Sequence, residues 1–77
     1  MLDYRLTEEE IWLNYHRRTE RCSWSVFDAG GIEMCSGKLT GSSPHKISLG
    51  KLPPEVYELC IIDGDRVINA KFRVENK

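Results

Sequence analysis

The 77-residue sequence lacks the features that identify membrane-spanning, exported and metal-binding proteins. No apolar run approaches the roughly 20 residues that a membrane-spanning helix needs. The first residues, MLDYRLTEEEIW, lack the basic start and the apolar core of about 7 to 15 residues that define a signal peptide. The sequence contains no Cys-x-x-Cys or His-x-x-x-His pair, and its two histidines, His16 and His45, lie far apart. We therefore expect no membrane span, no export signal and no metal site.

The chain also carries little net charge. Eleven lysines and arginines face twelve aspartates and glutamates, which gives a net charge of -1 with histidine neutral. A nearly neutral protein has no long-range field that attracts nucleic acid or an anionic membrane surface. We expect a protein as the partner, either a second copy or another chain, and any binding site has to be identified from local features.

The number of cysteines is small and odd. With only three, Cys22, Cys35 and Cys60, at least one thiol has no internal partner, which excludes a fully paired disulfide scaffold. Each cysteine falls in a predicted strand, where a free cysteine behaves as a small hydrophobic residue. No cysteine has the histidine and orienting third group of a catalytic nucleophile. We expect free thiols, no catalytic residues and no cofactor.

The last third of the chain has the clearest pattern, that of a β-hairpin. In VYELCII every second residue is apolar, as in a half-buried strand, and these residues are Tyr57, Leu59 and Ile61. The Asp63-Gly64 dipeptide predicts a two-residue turn. The returning strand, RVINAKFRVE, alternates in the same way and places four residues on the core face, Ile68, Ala70, Phe72 and Val74.

A second hairpin is predicted in the middle of the chain. CSWSVFD alternates with Cys22, Trp24 and Val26 on one face, DAGG supplies the turn, and IEMCSG returns. In the return strand the alternation predicts one face with Ile32 and Met34 and the other with Glu33 and Cys35. The later segment KISL predicts a short strand that gives Ile47 and Leu49 to the core.

The first part of the chain is ambiguous between a helix and a strand. Thr7 and Glu10 have the spacing of a capping box, which favours a helix over about residues 7–18 and an α+β fold. Ile11, Leu13 and Tyr15 instead alternate with Trp12 and Asn14. Isoleucine, tryptophan and tyrosine favour strands. We favour the strand. The whole chain, residues 1–77, is then one all-β domain of six to seven short antiparallel strands, a pattern typical of a β-sandwich.

Three segments of this plan together resemble a known group of domains. WSVFDAGGIEM, HKISLGKLPPEVYELCIIDGD and NAKFRV are similar to the C-terminal Ig-like modules of secreted Bacteroidetes proteins. The resemblance covers roughly Ile11 to Val74. Two relatives share it, the type IX secretion C-terminal sorting domain and small standalone Ig-like proteins. It implies a small Ig-like β-sandwich.

Two departures from the sorting-domain pattern favour the standalone relatives. Glu55 stands where the sorting domain has a glycine before its tyrosine strand, and the Asn-Pro motif at the start of that domain is missing. The resemblance implies a location outside the cytoplasm, whereas the missing signal peptide indicates the cytoplasm. It also implies a non-enzymatic module that acts in protein binding or secretion.

Two local features are candidates for an interaction surface. Trp12 lies opposite Ile11 and Leu13 in the predicted first strand, so its ring should be exposed on an edge strand, where aromatic residues often anchor contacts. The segment HRRTER, a predicted loop that begins with His16, concentrates three arginines, Arg17, Arg18 and Arg21. Clustered arginines bind carboxylate or phosphate. The alternative function is therefore a small intracellular regulator that binds a macromolecule through this loop.

Overall fold

Seven β-strands make up the regular structure of the part of the chain that the structure describes. The computed structural model describes residues 2–7 and 9–75, and within these residues there is no helix. The strands are β1 (Asp3–Leu6), β2 (Glu10–Asn14), β3 (Cys22–Phe27), β4 (Glu33–Lys38), β5 (His45–Ser48), β6 (Val56–Asp63) and β7 (Arg66–Arg73). The predicted all-β class is confirmed. The sequence analysis assigned no element to the residues of β1.

The strands form two antiparallel sheets that pack as a sandwich. One sheet has three strands in the order β1-β2-β5, and the other has four in the order β4-β3-β6-β7. Inward-facing side chains from both sheets meet in one core, as expected for facing sheets. The members of this core with no exposed surface are Ile11, Leu13, Val26, Leu59 and Ile61.

The alternative helix over residues 7–18 is wrong for the residues described there, 7 and 9–18. Thr7 and Glu10 close the turn between β1 and β2: the Thr7 amide donates to the Glu10 carbonyl at 2.9 Å, and the Thr7 hydroxyl lies 3.3 Å from the same oxygen. Glu8 lies outside the described residues. Ile11 and Leu13 are both fully buried. A strand places residues two apart on one face, whereas a helix separates them, so burial of this pair favours the strand.

The predicted C-terminal hairpin is confirmed, although its turn lies one residue further along. Asp63 still pairs with Arg66, and the two-residue loop is Gly64–Asp65. Gly64 has a φ of 61°, which favours glycine, and a glycine at the first loop position is typical of a type II′ turn. Asp63 is therefore the last residue of β6 and points into the protein.

Tyr57 fixes the chain at the start of β6. Its ring is buried and stacks on Phe72 of β7, with ring centroids 5.8 Å apart. Its hydroxyl donates a hydrogen bond of 2.6 Å to the carbonyl oxygen of Pro53, four residues upstream. A buried phenol needs such a partner, and here the partner is the backbone that crosses from one sheet to the other.

The predicted alternation in β4 is wrong. A β-bulge between Val26 and Phe27 shifts the register, so that Val26 pairs with Cys35 and Phe27 with Glu33. Cys35, like Val26, therefore faces the core, while Met34 points outward and is 40% exposed. Ile32 precedes the strand and is exposed. A bulge adds one residue to one strand, and simple alternation does not reveal it.

Trp24 covers a glycine of the edge strand β4. It pairs with Gly37, and a Cβ atom built on Gly37 would lie 2.9 Å from the indole Nε1. Any larger residue at this position would displace the ring. The aromatic side chain thus shields a glycine on the exposed edge of the sheet and packs against the core, a structural role.

The terminal hairpin supplies one wall of the core, which predicts a large effect for Phe72→Ala. Loss of the ring and the resulting cavity should lower the free energy of unfolding by about 3 to 5 kcal/mol. Urea denaturation measures it. The matched control is Val67→Ala in the same strand, where the side chain is exposed and the change should stay within about 0.5 kcal/mol. Equal midpoints for Phe72→Ala and wild type would contradict this role.

Candidate functional site

A buried carboxylate organises the loop between β2 and β3. Asp63 is 1% exposed and accepts four hydrogen bonds from this loop. The Tyr15 hydroxyl donates at 2.6 Å and the Thr19 hydroxyl at 2.8 Å. The backbone amides of Arg18 and Thr19 donate at 2.8 and 3.0 Å. Two side-chain hydroxyls and two backbone amides therefore hold the loop from below.

The same bonds determine the charge state of this group. The hydrogen bond from Tyr15, followed by the one from the Arg18 amide, holds the pKa of Asp63 well below its usual range, against the opposing effect of burial. Burial, reinforced by the bond to Asp63, raises the pKa of Tyr15 to about 12. At neutral pH the site thus contains an ionised carboxylate and a neutral phenol.

Gly64 is required by this arrangement as well as by the turn. Its amide donates to the Arg21 carbonyl at 2.9 Å, which ties the end of the β2–β3 loop to the hairpin. A Cβ atom on Gly64 would lie 2.9 Å from the Thr19 methyl carbon. Only glycine lets Thr19 approach the turn closely enough to bond to Asp63.

Three of the predicted site residues meet in one groove. His16, Arg17 and Arg18 line it together with residues 41–43 of the β4–β5 loop, and its volume is about 350 Å³. Arg17 connects the two loops, because its Nε donates to the carbonyl oxygen of Gly41 at 3.2 Å. Arg21, the third arginine of HRRTER, is exposed and does not line the groove.

The floor of the groove contains His45. This side chain is buried, and its Nε2 lies 3.1 Å from the carbonyl oxygen of Tyr15. With that ring nitrogen hydrogen-bonded to the backbone, His45 joins the start of β5 to the end of β2. The sequence analysis had no reason to place it beside HRRTER, because the two meet only through the pairing of β2 with β5.

Trp12 is not on an edge strand, which corrects the sequence-based expectation. It lies in β2, the central strand of the three-stranded sheet, and pairs with Arg5 on one side and Lys46 on the other. Its side chain is half-buried on the outer face. The backbone groups of β2 are already paired with β1 and β5, so a partner strand cannot add to β2.

The sequence analysis missed the outer face of the four-stranded sheet. Ile62 and Val67 pair across β6 and β7 and are 43% and 62% exposed. Towards the other end of this face lie exposed Met34 and half-buried Phe27. A signal for this face is present in the sequence: Ile61 and Ile62 are adjacent apolar residues, so β6 is apolar on both faces near its end.

The described part of the chain offers little for metal or thiol chemistry. No group of three or more His, Cys, Asp or Glu side chains within residues 2–7 and 9–75 could hold a metal ion. Cys22, Cys35 and Cys60 are free, and burial raises the pKa of all three thiols. A raised pKa lowers the thiolate fraction and thus the reactivity.

The described residues contain no helix long and apolar enough to cross a membrane. No family model, no curated protein and no solved structure matches the chain. The groove and the outer face of the four-stranded sheet are therefore the two candidate sites of this protein.

The buried carboxylate predicts a specific loss of stability in acid. Because the folded protein lowers the pKa of Asp63, this group stabilises the fold above its unfolded pKa, near about 3.9. The stabilisation is lost as the pH falls below about 4. Urea midpoints measured from pH 7 to pH 2.5 should fall more steeply for wild type than for Asp63→Asn, which should be less stable at pH 7. Asp65→Asn, in the adjacent turn, is the control and should follow wild type; parallel curves for wild type and Asp63→Asn would refute the assignment.

Because all three cysteines are free in the structure, we predict that the protein contains no native disulfide. Mass spectrometry of the freshly purified, unreduced protein should give the mass of the fully reduced chain. On prolonged standing in air, covalent dimers should form through the half-buried Cys35 or Cys60 and not through buried Cys22. Cys22→Ser should therefore leave dimer formation unchanged. A fresh mass two hydrogens lower would reveal an internal bridge and contradict the prediction.

Proposed function

We propose that this protein is a non-enzymatic, Ig-like interaction module that binds a protein partner. The Ig-like assignment is supported by the bond from the Tyr57 hydroxyl to the Pro53 carbonyl. In Ig-like sandwiches a tyrosine near the start of the sixth strand bonds to backbone a few residues upstream. Here Tyr57 is the second residue of β6. This supports the resemblance to Ig-like sandwiches.

The observation that carries the proposal is the distribution of exposed apolar side chains. Among the described residues, the large hydrophobic ones with substantial exposure are Ile32, Met34, Ile62 and Val67. All of them lie in the strands or connections of the four-stranded sheet. Isolated exposed apolar residues are ordinary, but their concentration on one side of a domain is typical of a contact surface.

The register gives this surface its shape. The row across the middle of the sheet pairs Ser36, Ser25, Cys60 and Asn69, which are small or uncharged. The Ile62–Val67 pair lies on one side of this row, and Phe27 with Met34 on the other. Phe27 lies four positions along β3 from Ser23, which pairs with Ile62, so the apolar ends are about 13 Å apart along the strands.

The partner that fits this surface is a protein with two apolar side chains at a similar spacing and a flat segment between them. An edge strand adds a second mode of contact. β4 is the outermost strand of this sheet and carries Met34, so a partner strand that pairs with β4 would also cover that side chain. Edge pairing supplies backbone hydrogen bonds, and the apolar ends supply specificity.

The proposal predicts that Val67→Asp strongly weakens partner binding without unfolding the protein. A partner is isolated by cross-linking from an extract of the producing organism, purified, and titrated by calorimetry. Val67→Asp should weaken its affinity at least tenfold, since it places a charge in an apolar contact. The control is Ser48→Asp, which adds the same charge to the exposed surface of the other sheet and should leave the affinity unchanged.

Sedimentation of the purified protein tests whether the partner is a second copy. Concentration-dependent association that Val67→Asp removes would identify self-pairing through the outer face. If Val67→Asp binds as well as wild type while Trp12→Ala does not, the contact surface is the three-stranded sheet, and the proposal for the outer face is wrong.

A further inference from the structure

We infer that the groove between the β2–β3 and β4–β5 loops binds a phosphate or sulfate group carried on a small organic molecule or side chain. This site is separate from the outer face proposed above, because it is lined by residues 16–20 and 41–43 and by His45. Four features of the groove support this inference: the charge of its lining, its free hydrogen-bond donors, the bonds that hold its loop, and its volume.

The charge of the groove is opposite in sign to that of the whole chain. The side chains that line it include two arginines, Arg17 and Arg18, and one acid, Glu20, which sum to +1 with the histidines neutral. The ionised Asp63 lies beneath the loop, outside this lining, and four donors of the loop already bind it. The full chain carries -1. The ion pair in the described part of the chain joins Lys46 to Glu10, so neither arginine is neutralised by a carboxylate there. An anionic ligand would supply the missing counter-charge.

Arg17 is held in a position to receive an oxyanion. Its Nε bond to the Gly41 carbonyl fixes the guanidinium between the two loops. A guanidinium has five N–H donors, and the other four have no protein partner among the described residues. The planar array of donors matches two oxygens of a phosphate or sulfate at once. Arg18, next along the chain, adds a second, exposed side chain with a guanidinium group.

The loop that carries these side chains is ordered before any ligand arrives. Asp63 binds the backbone amides of Arg18 and Thr19 and leaves the Arg18 side chain unused. A preformed loop avoids the entropy cost of ordering on binding, which raises affinity.

The opposite wall and the volume favour a tetrahedral group over a planar carboxylate. Ser42 and Ser43 contribute hydroxyl donors across the groove from the arginines. The Ser43 hydroxyl lies 3.5 Å from the Asn14 side-chain oxygen, too long for a strong bond, so it is available to a ligand. Donors on two walls suit an anion with three or four oxygens. The volume of about 350 Å³ lies within the roughly 300 to 1,000 Å³ of small-molecule sites and leaves room for the carrier group.

The test is an NMR titration of the ¹⁵N-labelled protein at constant ionic strength. The ligands are inorganic phosphate, inorganic sulfate, phosphoserine and acetate. Phosphate, sulfate and phosphoserine should cause saturable shifts of the amides of Arg18, Ser42 and Ser43, and acetate should bind at least several-fold more weakly. Tighter binding of phosphoserine than of phosphate would identify a phosphorylated organic ligand, and tighter binding of sulfate than of phosphate would identify a sulfated one.

Two arginine variants provide the matched comparison. Arg18→Ala keeps the backbone amide that bonds to Asp63, so it should fold normally while the dissociation constant rises at least tenfold. Arg21→Ala removes the same charge from the same loop outside the groove and should change that constant less than twofold. Urea midpoints of both variants report on folding.

Three results would overturn the inference. The first is shifts that do not saturate with any oxyanion. The second is an equal loss of affinity in Arg18→Ala and Arg21→Ala, which would reflect charge alone. The third is a short oligonucleotide that binds more tightly than phosphoserine with an affinity that falls steeply with salt, because it would assign the groove to nucleic acid.

Discussion

The buried carboxylate of Asp63 is the interaction on which both candidate surfaces depend. It ends β6, faces inward, and accepts hydrogen bonds from two side chains and two backbone amides of the β2–β3 loop. A buried charge is costly unless it is fully hydrogen-bonded, so these donors must stay in place for the domain to fold. The constraint thus converts a polar surface loop into a fixed part of the sandwich.

Adjacent side chains of β6 face opposite sides of the sheet. Asp63 points inward and holds the loop that lines the groove, while Ile62 points outward and forms the apolar pair with Val67. The proposed protein contact and the inferred anion site therefore lie at the same end of the four-stranded sheet, on its two sides. Because the period of a strand is two residues, a shift of one residue in the register of β6 would disrupt both surfaces together.

Sequence reasoning failed where a tertiary contact changed the meaning of a local pattern. Asp63-Gly64 matched a common hairpin turn, but hydrogen bonds from a loop 44 residues away draw Asp63 into the core and move the turn to Gly64–Asp65. Thr7 and Glu10 matched a helix cap and close a turn between strands instead. In β4 the bulge places Glu33 and Cys35, which simple alternation assigns to one face, on different faces of the strand. Each pattern has two structural outcomes of similar local energy, and packing selects between them.

The sequence by itself determined the class of the fold and most of its core, because alternation with a period of two specifies which residues a sheet buries. Tyr57, Leu59 and Ile61 are buried as that alternation predicts, and HRRTER is a loop. Only the tertiary structure decided which residues this loop contacts. Its partners, Asp63, Gly41 and His45, are 20 or more residues away along the chain and meet it through strand pairing and the packing of the two sheets. Contacts between distant segments leave no periodic trace in the sequence, and for that reason the groove and the exposed outer face had to be seen in three dimensions.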